Sequence, residues 1–167
     1  MRNKHLLWVV LSILFVLLLF WKLGSTLVIT SNDTGRVLWS HSVSEGEQFI
    51  IRYTHSVART EVDEVIRVGD EELIIDSTIY ESFGAGLPST IGQGQTIRRE
   101  GGKVIIGSIN QPVPRIDLYV GQVIANHTLL FQGDILPLST LSKPGTSIQF
   151  SISSENLFKR LMGRLVH

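Results

Sequence analysis

The sequence contains no cysteine. That excludes a disulfide framework, a thiolate metal site and a cysteine nucleophile. It also excludes a lipid-modified N-terminal cysteine, so attachment to a membrane has to be made by the polypeptide itself. Several catalytic signatures are missing as well. There is no G-x-S-x-G elbow for a serine nucleophile. There is no H-E-x-x-H or H-x-H spacing for a metal, and no phosphate loop carrying a lysine between a strand and a helix. Proline is scarce, five in 167 residues. Pro112, Pro114, Pro137 and Pro144 fall outside the candidate strands or at their edges, where a missing N–H does no harm. No repeat of solenoid length occurs.

The formal net charge is zero, but the two signs are segregated. Before Ser25 the charges are Arg2, Lys4 and Lys22, and near the other end Lys159, Arg160 and Arg164 outnumber Glu155. From Thr26 to Ser153 the chain carries 9 Lys and Arg against 14 Asp and Glu. An acidic middle has no basic patch for phosphates, which argues against a nucleic acid partner. Basic ends suit contact with an anionic membrane surface.

What is present begins with an uncharged run, Leu6 to Trp21, whose one polar residue is Ser12. Counted on through Leu23 and Gly24, it reaches the length that spans a bilayer core, roughly 17–25 residues. Lys22 can snorkel to the interface, and Trp8 and Trp21 suit the two headgroup belts. No small-x-small cleavage site follows, so residues 1–25 are expected to be a retained anchor. Arg2 and Lys4 place its N-terminus in the cytoplasm and the remainder outside the cell membrane.

After Ser25 the period changes to two. Strands are expected over Thr26–Thr30, Arg36–Ser40, Glu47–Thr54, Glu61–Val68, Glu72–Glu81, Gln95–Arg99, Lys103–Ile109, Arg115–Val120, His127–Gln132 and Thr146–Ser153. Glu61–Val68 also fits one helical turn by spacing, but its β-branched content and the Gly69-Asp70 turn favour a strand. Gly101-Gly102 is a hairpin signal. Residues 26–153 are thus expected to form an all-β domain, a sandwich or small barrel of about nine or ten strands. Residues 154–167 place apolar side chains on one half of a helix and Lys159, Arg160 and Arg164 on the other, with Ser153 or Ser154 as cap. That helix either packs on the β domain or lies on the membrane.

The chemistry-bearing window is Tyr53 to Glu64, YTHSVARTEVDE. It brings an imidazole, a hydroxyl and several carboxylates together. His55 and Ser56 are consecutive, and consecutive strand side chains point to opposite faces, so they form a nucleophile–base pair only if the strand ends between them. A metal site from His55, His127 and Glu61 or Glu64 has no supporting spacing. The simplest reading is structural: His55 and Ser56 bond loop backbone at a strand end, and Glu64 orients the imidazole. The alternative is contact with a ligand or partner. Trp39-Ser40-His41-Ser42-Val43 echoes Tyr53-Thr54-His55-Ser56-Val57. Gly84 and Gly86, in the loop Ser82–Gly94, serve tight turns or present N–H groups to an anion.

YTHSV, a glutamate further on, and ESFGAGLP after the next strand resemble Domain of Unknown Function 1850. The likeness runs from about Val28 to Ile152. It implies a small bacterial protein with one N-terminal membrane segment, associated with tripartite (TRAP) transporter permeases of the TAXI type. By that resemblance the expected role is a non-catalytic accessory or docking protein, with a permease or its solute-binding protein as partner and no cofactor. The resemblance maps the family's shared positions onto His55, Ser56, Glu64, Phe83, Gly84, Ala85, Gly86, Leu87 and Pro88. A solute-binding or sensing domain and a hydrolase are the rival expectations.

Overall fold

The computed structural model describes residues 2–19, 22–81, 91–122 and 124–156. Helix α1 spans Arg2–Leu19. Strands follow at β1 (Lys22–Ser31), β2 (Val37–Val43), β3 (Gln48–Thr54), β4 (Glu61–Val68), β5 (Leu73–Tyr80), β6 (Thr96–Glu100), β7 (Lys103–Gly107), β8 (Gln111–Val113), β9 (Arg115–Tyr119), β10 (Thr128–Phe131), β11 (Asp134–Pro137) and β12 (Ser147–Asn156). The ten expected strands are all present. The two additional ones, β8 and β11, are three and four residues long, and each contains a proline. Pro137 is tolerated because β11 ends its sheet, where an N–H facing outwards is not needed.

The strands form two antiparallel sheets, one ordered β2-β1-β12-β9 and one ordered β11-β10-β3-β4-β5-β7-β6, with β8 paired to β5. Neither closes on itself, so the barrel alternative does not hold. One buried cluster draws on both sheets: Leu27, Ile29, Ile148 and Phe150 from the first, Phe49, Ile51, Ile66 and Leu129 from the second. Phe49 and Phe150 stack across it, ring centres 6.1 Å apart. Transfer of such side chains from water is the main stabilising term, about 25 cal/mol per Å² of apolar surface.

A second, smaller cluster of Val62, Tyr80, Val104 and Ile106, with Tyr53 and Ile109 against it, contains no residue of the four-stranded sheet. Register explains the division. Tyr53, Val62, Tyr80 and Val104 lie side by side in one row of the large sheet. The next inward row is Ile51, Glu64, Thr78 and Ile106. Two polar side chains thus interrupt the apolar face between the clusters.

The turns follow local chemistry. Gly101 and Gly102 both have positive φ, +58° and +81°, as a two-residue hairpin between β6 and β7 requires. Gln132 and Gly133 do the same between β10 and β11.

Both domain boundaries need correction. Lys22 and Gly24 are β1 residues, paired with Asn156 and Glu155 of β12. They therefore do not extend the anchor, and Ser153 and Ser154 are strand residues rather than helix caps. The two extensions arise together because each supplies the other's backbone partners. Among the described residues no helix is long and apolar enough to cross a membrane. Trp21, the loop residues Phe83–Pro88 and residues 157–167 of the tail helix expected over 154–167 lie outside the described residues.

Candidate functional site

β3 delivers Tyr53 and Thr54 to a tight turn, and β4 leaves it at Glu61, opposite Thr54. The turn is held by backbone bonds from His55 N–H to Thr60 O (2.9 Å) and from Arg59 N–H to His55 O (2.8 Å). The His55 Nδ1 accepts the Ala58 N–H at 3.1 Å. An imidazole that satisfies a turn amide is doing backbone work, as the simplest reading expected. Arg59 sits at φ +55°, in the left-handed region that costs a branched-free but bulky side chain about 1 kcal/mol. The Thr60 Oγ1 is buried without a hydrogen-bond partner among the described residues.

Ser56 is exposed in the turn, and Val57 beside it is 66 % exposed. No described bond links Ser56 to His55. The acidic residues of the window separate by strand parity. Glu61 and Asp63 share the outer face with Arg52, which binds Asp63 through both carboxylate oxygens at 2.7 and 2.8 Å and approaches Glu61 at 3.7 Å. Asp63 is buried there, so the fork-to-fork geometry compensates its desolvation.

Glu64 points the other way, into the interior. Thr78 Oγ1 donates to its Oε2 at 2.8 Å. It therefore does not orient the His55 ring, which corrects that expectation. Burial raises the Glu64 pKa above the ordinary carboxyl value, with the Thr78 bond opposing. Burial, and then the nearby Glu64 charge, push the Tyr53 hydroxyl up in the same sense. The Tyr53 ring lies 5.4 Å from the ring of His127. Burial lowers the pKa of His127, whose Nδ1 accepts the Gly121 N–H at 3.1 Å.

The inner side of this end thus carries Glu64, Thr78, Tyr53 and His127. Tyr53, Thr78 and His127 were not singled out as an assembly by sequence. Thr78 was hidden by a bulge: Val65 pairs with Ser77 but Ile66 with Ile75, so Asp76 drops out and the parity of β5 reverses. Glu64 was legible, because Val62, Glu64, Ile66 and Val68 alternate on one face. Among the described residues no group of three or more His, Asp or Glu could hold a metal ion, so His55, His127 and Glu61 or Glu64 do not assemble into the alternative site.

The loop that carries FGAGLP departs from β5 after Tyr80, which pairs with Val62 at the start of β4. Its point of departure is therefore at the same end of the sheet as the His55 turn. The sequence profile of a family described as Domain of unknown function (DUF1850) matches residues 49–138, more than half of the chain. The chain belongs to that family. No curated protein and no solved structure matches it. The DUF1850 match takes in nearly all of the large sheet, with both the His55 turn and the Glu64 row. It leaves out α1, β1, β2 and β12. The DUF1850 match thus takes in the large sheet with its polar end and one strand of the covering sheet, β9, while the other three covering strands lie outside it.

Proposed function

We propose that this DUF1850 protein is a membrane-attached, extracytoplasmic docking domain of a TRAP-TAXI type solute transporter, without a catalytic role. One observation carries the attachment. From Leu7 to Leu18 the apolar side chains of α1 are 44–67 % exposed, clear of the β core. The single polar side chain in that stretch, Ser12, is satisfied within the helix by donating to Trp8 O at 2.9 Å. A helix apolar all round belongs in an apolar medium. Leu6–Leu19 rises roughly 21 Å, short of a core of about 30 Å, so a thinned bilayer would accommodate it.

Docking is preferred to hydrolysis because the His55 Nδ1 is engaged by Ala58, while Ser56 and Val57 stand exposed at the same turn. The partner is taken from the family resemblance. The test is co-purification of the tagged full chain with a TAXI-type permease or its solute-binding protein, from membranes expressing all three. Recovery is expected, and Val57→Asp should reduce it at least about tenfold, since burying a charge in an apolar contact is costly. Failure to recover either partner, or equal recovery with Val57→Asp, would sink this reading.

A further inference from the structure

The opposite end of the large sheet holds a cavity of about 300 Å³ between the free edges of the two sheets. One wall is β2, the outermost strand of the four-stranded sheet. Trp39 and His41 are two residues apart on it, so they share the inward face, and their rings stack at 5.9 Å with planes 18° apart. The other wall is the β10–β11 hairpin. Its Phe131 ring stands at 90° to Trp39, centres 6.1 Å apart, and at 76° to His41, centres 5.2 Å apart. Leu129 lines the cavity with these rings, and Asp134 supplies its one carboxylate.

The polar groups are all of one kind. Among the described residues no lysine or arginine lines the cavity. No described hydrogen bond or ion pair engages the Asp134 carboxylate. His41 Nδ1 lies 2.9 Å from Ser42 O, an acceptor, so in the neutral ring Nδ1 carries the hydrogen and Nε2 keeps a lone pair. Gln132, on the rim, is already committed to the Glu47 carboxylate at 2.6 Å. The cavity therefore presents π-electron clouds and a carboxylate. That combination attracts a positive charge and offers an anion nothing.

We propose that this cavity binds a small organic ammonium ion, its apolar body against Trp39, Phe131 and Leu129 and its charged nitrogen toward Asp134. The volume lies at the lower end of the range for small-molecule sites. The site is independent of the docking reading, since it uses the other end of the large sheet and the strands β2, β10 and β11.

The test is calorimetric titration of the full chain, in a non-ionic detergent, with 2-phenylethylammonium and with 3-phenylpropionate as a shape-matched anion. Saturable binding of the ammonium and none of the anion is expected. Asp134→Asn should weaken the ammonium about tenfold without moving the melting temperature, because Asp134 is exposed. Trp39→Leu should weaken it by a similar factor. Equal binding of the anion, unchanged affinity in Asp134→Asn, or no saturable heat up to on the order of 20 mM ammonium would overturn the proposal.

Discussion

Trp39-Ser40-His41-Ser42-Val43 and Tyr53-Thr54-His55-Ser56-Val57 are near-copies with different fates. In the first, the strand runs on to Val43, which pairs with Ser25 and is 8 % exposed. Trp39 and His41 then share a face and stack into a cavity wall. In the second, pairing stops at Thr54, the chain turns, and Val57 is 66 % exposed. His55 folds back onto its own turn. The residue pattern is the same; continuation of a partner strand decides whether the histidine faces a cavity or closes a loop.

The comparison can be broken at several levels. The largest effect is expected at the shared core. Phe49→Ala, which removes one ring of the stack with Phe150, should cost about 3–5 kcal/mol in chemical denaturation. Loss of circular dichroism and of tryptophan signal should coincide. Two separate transitions would show that the ends are independent units and that the small cluster stands without the large one.

Glu64 probes the boundary between the clusters, with a smaller effect. Its carboxyl is held above the ordinary pKa by burial, so the folded chain binds more protons than the unfolded one between those two values. Stability conferred by the protonated group is full below the unfolded pKa and is lost as the pH rises through the folded one. Glu64→Gln, which keeps an oxygen to accept the Thr78 hydroxyl, should therefore stabilise at neutral pH. Its advantage should vanish in acid, and thermal melts from neutral pH downwards check this. A constant difference at all pH values would mean that ionisation is not the cause.

The smallest effects separate the two histidines themselves. His55→Ala leaves the Ala58 N–H without its acceptor and should cost about 1 kcal/mol. His55→Asn, whose carbonyl can accept the same N–H, should recover most of it. His41→Ala, at an exposed position, should stay within about 0.5 kcal/mol. Equal losses in urea titrations would erase the distinction drawn above.

Much of this fold was legible because strand alternation and turn residues are local signals. Gly101-Gly102 placed a hairpin, and the inward position of Glu64 was written in the alternation of β4. What was not legible depends on distant partners. The extension of β1 back to Lys22 requires β12. The facing of Thr78 requires knowing that Asp76 is bulged out. The cavity requires β2 and the β10–β11 hairpin to be brought together by two sheets that share a core. The aromatic echo was visible in sequence, but its meaning depended on which copy stayed in register.

The pairing of β1 with β12 also sets an order of assembly. These strands lie side by side although roughly 120 residues separate them in the chain, a separation that slows folding. The large sheet is built mostly from neighbouring strands and can form first. Until β12 has been made, β1 lacks its main neighbour in the four-stranded sheet, and the inner face of the large sheet lacks Ile148 and Phe150 as cover. Under the proposed membrane attachment, the domain would spend its synthesis as an open, half-clad sheet, a substrate for chaperones and proteases.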